Sequence, residues 1–141
     1  MLCWIRQLLW FSPEPNSATI GRRGEKEAEG FLKAKGFRVL ARNWRAGKDE
    51  IDLVCRDGPA LVFVETRTRK SGALVSGYES IGRRKRDALK RVCRAYLSKL
   101  NPRPKAFRLD VVEVEHEEGQ IISTRHYENV PLFGKETFRG T

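Results

Sequence analysis

The chain has 141 residues, a mass of 16.2 kDa, 40% hydrophobic and 33% charged residues, and a net charge of +10. A single domain of that size hides roughly 68% of its unfolded surface, enough for a core without staples, and the composition excludes both wholesale disorder and a membrane-embedded body. The charge is unevenly spread: Thr66 to Arg108 holds 14 basic residues against Glu79 and Asp87, and such self-repulsion is relieved by a polyanion, so nucleic acid is the favoured partner.

In chain order, Met1 to Phe11 is apolar but broken by Arg6, and it is shorter than the ~20 residues of a membrane span. It reads as an amphipathic appendage with Trp4, Leu8 and Phe11 on one helical face, followed by the linker Ser12-Pro13-Glu14-Pro15-Asn16, so that residues 1–16 precede the domain. Ser17 is the expected N-cap of a helix to about Lys35, with Ile20, Gly24, Ala28, Phe31 and Leu32 on one stripe and Gly36 as its stop. Strands are expected at Phe37 to Arg42 (Phe37, Val39 and Ala41 inward), Glu50 to Arg56 and Leu61 to Arg67, the last two joined at Asp57-Gly58-Pro59. A loop from Thr68 to Tyr78 leads to a helix over Glu79 to Leu100, closed by Asn101-Pro102. Strands at Phe107 to Glu115 and Ile121 to Tyr127 complete a domain of residues 17–133, with 134–141 as a tail. This order predicts an α/β fold: a central mixed sheet flanked by helices, one strand pair made parallel by the second helix.

Period-two alternation puts Glu50, Asp52 and Val54 on one face of their strand, with Ile51, Leu53 and Cys55 on the other. In the next strand Leu61, Phe63, Glu65 and Arg67 share a face, where two charges keep company with two large apolar groups. If paired residues sum to 115, Glu50 lies opposite Glu65 with Asp52 diagonal; if they sum to 117, Asp52 faces Glu65 at a Cβ separation of about 4.5–5.5 Å. Carboxylates packed this way repel unless a hard cation lies between them, which points to Mg²⁺ or Mn²⁺ and to phosphodiester chemistry. Ion-paired strand residues on a solvated face are the alternative. On the second helix Ile81, Lys85, Ala88, Leu89, Val92 and Tyr96 form one stripe, and a lysine there needs an anion beneath it. Arg83, Arg86, Lys90 and Arg94 lie on the opposite side and, with Arg69 and Lys70, suit a phosphate-tracking surface. Trp44 suits the core or a stacked base. His116 and His126 lack ligand spacing, and Cys3, Cys55 and Cys93 form no C-x-x-C pair, so neither zinc nor a disulfide framework is expected and a reducing cytoplasm is the simplest location.

Gly24-Glu25-x-x-Ala28, Ala41-Arg42-Asn43-Trp44-Arg45, Glu50-Ile51-Asp52-Leu53-Val54, Phe63-Val64-Glu65-x-Arg67-Thr68-Arg69, Lys85 and Phe107-Arg108-Leu109-Asp110-Val111-Val112 together resemble the YraN-like family of small uncharacterised bacterial proteins. That family is similar to the archaeal Holliday-junction resolvases of the PD-(D/E)xK nuclease superfamily. The resemblance implies a restriction-endonuclease-like core with Asp52, Glu65 and Glu25 as metal ligands, and Arg67 and Lys85 completing the catalytic set. A partner DNA, possibly branched, follows from it, and a homodimer follows by analogy with the resolvases. Two departures stand out. Glu65-Thr66-Arg67 replaces the family's Glu-x-Lys, and Asp49 replaces its glycine before Glu50. Arginine cannot be deprotonated, so two readings stay open: a metal-dependent DNA endonuclease, or a nuclease fold that binds nucleic acid without cleaving it.

Overall fold

The computed structural model describes residues 16–72, 79 and 81–133. The expected appendage with Trp4, Leu8 and Phe11, residues 73–78 of the loop and the tail from 134 lie outside the described residues. Helix α1 (Ser17–Ala34) is capped by Asn16 in place of Ser17; Asn16 Oδ1 accepts from Thr19 N at 2.8 Å and Thr19 Oγ1 at 2.9 Å. Asparagine caps as well as serine does, and from one residue earlier it draws Ser17 into the first turn. At the other end Gly36 takes φ +95, and the amides of Gly36 and Phe37 bond to Lys33 O and Leu32 O at 2.9 and 3.1 Å. This is the left-handed stop that the glycine foretold.

Strands β1 (Arg38–Ala46), β2 (Asp49–Asp57), β3 (Ala60–Lys70), β4 (Phe107–Glu117) and β5 (Gln120–Tyr127) form one sheet in that order. Only β3 and β4 are parallel, joined through helix α2 (Arg83–Ser98), so the molecule is the α/β mixed-sheet fold expected. Helix α2 begins four residues later than its periodicity suggested. Ile81 is buried just ahead of it, and Gly82 starts the helix without a side-chain cap.

The helices lie on opposite faces. On the α2 face Leu89, Val92, Cys93 and Leu97 pack on Ile51, Val54, Leu61, Phe63, Leu109 and Val111, joined by Val130, Leu132 and Phe133 after β5. On the α1 face Ala28 and Leu32 pack on Phe37, Leu53, Cys55, Val62, Val64, Val112 and Val114. A register shift between Val39 and Ala41 turns these two toward different layers, so they do not share one inward face.

A second break matters more. Ile51 lies with Val54 on the α2 face while Leu53 and Cys55 lie on the α1 face, so the simple alternation expected of β2 fails at Asp52. The neighbouring strand kinks at the same level: Asn43 has φ 46, flanked by the pairs Arg42↔Leu53 and Trp44↔Ile51. Beyond that kink β1 resumes pairing to Ala46, which is why it outruns its expected end at Arg42. Trp44 then meets Tyr96 edge-to-face at 5.1 Å and belongs to the core.

Gly24 holds α1 against β3. A Cβ there would land on Thr68 Oγ1, well inside van der Waals contact. We expect Gly24→Ala to cost ~1–3 kcal/mol despite the better helix propensity of alanine, with Thr68→Ala recovering part of the loss in a double-mutant cycle followed by urea denaturation. Additive losses would show that the two positions do not meet.

Candidate functional site

β2 and β3 pair from Asp57↔Ala60, around the turn Gly58-Pro59, as far as Leu53↔Val64. That register sums to 117, one of the two expected, and continues to Asp52 opposite Glu65. There the strands part: β3 stays paired with β4 out to Lys70↔His116, while β2 continues with β1 alone. Parting leaves backbone groups without ladder partners, and Asp52 serves one of them, its Oδ2 accepting from Thr66 N at 2.8 Å. The two acids thus occupy a fork in the sheet.

The fork is poorly solvated. Glu65 is 4% exposed, its Oε1 lies 3.2 Å from Lys85 Nζ, and its buried Oε2 has no hydrogen-bond partner among the described residues. The Asp52 and Glu65 carboxyls stand close enough to repel each other. Burial, then repulsion from Glu65, pushes Asp52 up to about 7 against the pull of the Thr66 amide. Glu65 is also raised, by burial first, with Lys85 and Arg67 opposing. Lys85 therefore faces the acid its helical stripe demanded, and Arg67 Nη1 stands 4.0 Å from Glu65 Oε1.

Glu25, on α1, is near enough to add to the repulsion on Asp52, but its Oε2 sits 3.4 Å from Asn43 Nδ2. Asn43 bonds Glu50 more closely, at 2.9 Å, and Glu50 also pairs with Arg45 at 2.9 Å. The kinked asparagine so links three elements. Among the described residues no three His, Cys, Asp or Glu side chains converge at metal-ligand spacing. Asp52 and Glu65 converge as a pair, with Glu25 set back beside Asn43. The donor set nonetheless suits a hard cation: two carboxyls that repel, one oxygen without a donor, and a free edge at the fork.

Around the fork the basic residues divide. Lys70, Arg83, Arg86 and Arg94 are exposed and Lys90 is half-buried. Arg86 Nε donates to Ile81 O at 3.3 Å, and Arg91 grips Asp49 twice, at 2.9 and 3.0 Å, tying α2 to β2. The aspartate that replaces the family glycine is thus an anchor for the helix that carries Lys85. Arg69 sits 3.2 Å from Glu113, a nearly buried acid, so it balances charge in the sheet instead of standing out from it.

Sequence reasoning missed one polar network. Asp110, fully buried, accepts from Arg108 Nε at 2.9 Å, Asn129 N at 2.9 Å and His126 Nε2 at 2.8 Å, and Arg108 also reaches Asp57 at 3.0 Å. Lys35 Nζ lies 3.0 Å from His126 Nδ1, which makes Nδ1 the acceptor and leaves Nε2–H to donate to Asp110. Phe31 and Phe37 meet the His126 ring edge-on. The signal was present: alternation puts Arg108, Asp110 and Val112 on one face of β4, two charges on a buried side.

The fold and the fork define an α/β protein with two mutually repelling carboxylates, one buried and one half-buried, between parting strands, beside a lysine and an arginine. The profile of uncharacterised protein family UPF0102 matches residues 24–114, and the chain belongs to that family. Relatives agree: a UPF0102 protein of Symbiobacterium thermophilum is 42% identical over 99 residues, 70% of this chain and 84% of its own. One from Beutenbergia cavernae is 38% identical over 111 residues, covering 79% of this chain and 94% of its own. Among solved structures, Pyrococcus furiosus SfsA in complex with Ca²⁺ aligns with 80% of this chain and 64% of that chain, at 18% identity and a TM-score of 0.38. No helix among the described residues is long and apolar enough to cross a membrane.

Proposed function

We propose that this protein is a nucleic-acid-binding phosphodiesterase, a metal-dependent DNA endonuclease of the resolvase-like, PD-(D/E)xK kind. The observation that carries the reading is the pair Asp52 and Glu65: adjacent, half-buried and buried respectively, raised in pKa, and holding one carboxylate oxygen without a hydrogen-bond partner among the described residues. Asp52 and Glu65 would hold Mg²⁺ or Mn²⁺, with Glu25 completing or orienting the shell. A bound cation of this kind draws charge from a non-bridging phosphoryl oxygen and makes nearby water more acidic. Lys85 and Arg67 flank Glu65 and would hold the scissile phosphate, Arg67 through its planar fork. The exposed Lys70, Arg83, Arg86 and Arg94 would follow the phosphate backbone, with Lys90 beside them. The reading implies a reducing cytoplasm, in which the buried Cys55 and Cys93 stay as thiols. Two copies would cut two strands, which sedimentation with a junction tests.

A specific observation supports a second reading. Arg67 stands where the nuclease motif has lysine, and a guanidinium cannot serve as a general base, so the fork would bind a backbone without activating water. One experiment separates the two: duplex, single-stranded and four-way-junction DNA are incubated with Mg²⁺ or Mn²⁺ and wild type, Asp52→Asn or Arg67→Lys. Hydrolysis lost at least 100-fold in Asp52→Asn establishes the enzyme. Absence of cleavage under either metal, with binding that falls as salt rises at a log–log slope of about −4 or steeper, establishes the binder. Cleavage unchanged by Asp52→Asn removes the catalytic assignment altogether.

A further inference from the structure

On the opposite side of β3 from Glu65, α1 overhangs the sheet and leaves a cleft of about 440 Å³ lined by Ser17, Ile20, Gly21, Glu25, Thr66, Thr68 and His116. It is within the size range of small-molecule sites and has both polar and apolar lining residues. Thr66 Oγ1 and His116 Nδ1 in its wall are buried without a hydrogen-bond partner among the described residues, and the hydroxyls of Ser17 and Thr68 with the Glu25 carboxylate complete the polar lining. Among the described residues no lysine or arginine lines it, so a phosphate meets no counter-charge from them while Glu25 repels it. What such a lining favours is a neutral, flat ligand that offers N–H groups to Glu25 and exchanges hydrogen bonds with the hydroxyls. The apolar wall suits a flat face as well: Ile20 stands beside Gly21, where a missing side chain leaves open space, nothing lying within 4 Å of a Cβ built there.

The cleft and the fork share residues. Thr66 presents its amide to Asp52 and its side chain to the cleft, and Glu25 both lines the cleft and repels Asp52. We infer that the cleft takes one unpaired nucleobase bearing an amino group, from the nucleotide beside the phosphate held at the fork. This rests on the nucleic-acid reading above and extends it to a substrate class: DNA with an unpaired base at a branch or in a single strand. A paired base has its edge occupied and its faces stacked, so it must leave the duplex to enter, and a branch lowers that cost.

The test places 2-aminopurine, an amino-bearing base that brightens when unstacked, at the branch of a four-way junction in EDTA, while the anisotropy of an end label reports binding. Wild type should raise the emission severalfold on the junction and leave a 2-aminopurine inside uninterrupted duplex dim. Gly21→Leu fills the cleft from the helix, where leucine also propagates a helix better than glycine, so folding is retained and is checked by melting temperature. It should abolish the rise while binding of plain duplex stays within twofold. A rise that survives Gly21→Leu, or binding with flat emission in wild type, overturns the cleft assignment and leaves the fork reading intact. A Gly21→Leu-sensitive rise without Mn²⁺-dependent cleavage supports the cleft and overturns hydrolysis; absence of any anisotropy change overturns both.

Discussion

Asp52→Asn should raise the melting temperature of the metal-free protein at pH 8 by roughly 5–10 °C, although it replaces a half-buried, hydrogen-bonded group. Burial and Glu65 lift the Asp52 carboxyl from 3.8 to about 7. A group whose folded pKa is raised favours folding below its unfolded pKa, and that contribution disappears as pH climbs through the folded value. Between about pH 4 and pH 7, then, wild type loses stability at this site while the asparagine variant does not. At 1.36 kcal/mol per pH unit the displacement is worth ~2–4 kcal/mol, part of which is shared with Glu65. Asparagine can still accept from Thr66 N, so the strand fork remains tied. The difference should vanish at pH 4. At pH 8, Mn²⁺ should stabilise wild type and leave the variant unmoved, because a cation that binds only the folded state stabilises by mass action. Thermal melts at the two pH values, with and without metal, check this. A variant that melts lower than wild type at pH 8 would mean that Asp52 is an ion-paired structural acid.

Asp110→Ala should do the opposite, lowering stability by ~3–5 kcal/mol at pH 7, because it removes the buried acceptor that an arginine and a histidine share. Arg108 is 19% exposed and His126 1%, and both point their donors at Asp110. Burial alone would raise the Asp110 carboxyl, but bonds from His126, Arg108 and the Asn129 amide hold it below the ordinary range. The sign reverses accordingly. Its contribution is complete above the unfolded carboxylate pKa and is lost as pH falls through the lowered folded value. Urea unfolding at pH 7 and pH 2.5 should therefore show a gap between wild type and variant that closes in acid. Cleavage or binding of nucleic acid by whatever variant remains folded should be unaffected, since Asp110 lies on the α1 face and the paired acids lie at the fork. Equal stabilities at pH 7 would show that Arg108 finds enough support in Asp57 alone.

Both predictions concern charges in places where simple patterning puts apolar groups, and that contrast separates what could be read from what could not. The helix α1, its stop at Gly36, the hairpin turn at Gly58 and the parallel crossover were legible because each depends on local rules: a 3.6-residue stripe, a left-handed glycine, a pair of apolar runs. Lys85 was legible for the same reason, since its position on an apolar stripe is a local fact with a distant implication. The later start of α2 was not, because burial of Ile81 outweighed helical periodicity. Nor was the reversed facing of Ile51, which accompanies the kink at Asn43 on the neighbouring strand and the break in alternation at Asp52.

For this protein the sequence by itself determined the order of elements, the concentration of positive charge after Thr66, and that an even loop would let Asp52 and Glu65 meet while an odd one would part them. Only the tertiary structure decided which register brought them together, that the strands part there, that Arg69 is tied to Glu113 while Asp49 anchors α2, and that Asp110 and His126 form a buried network. The reason is physical: periodicity reports which side of its own element a residue faces. Its burial and its pKa depend on what other elements bring to that side, and those contacts join residues tens of positions apart in the chain.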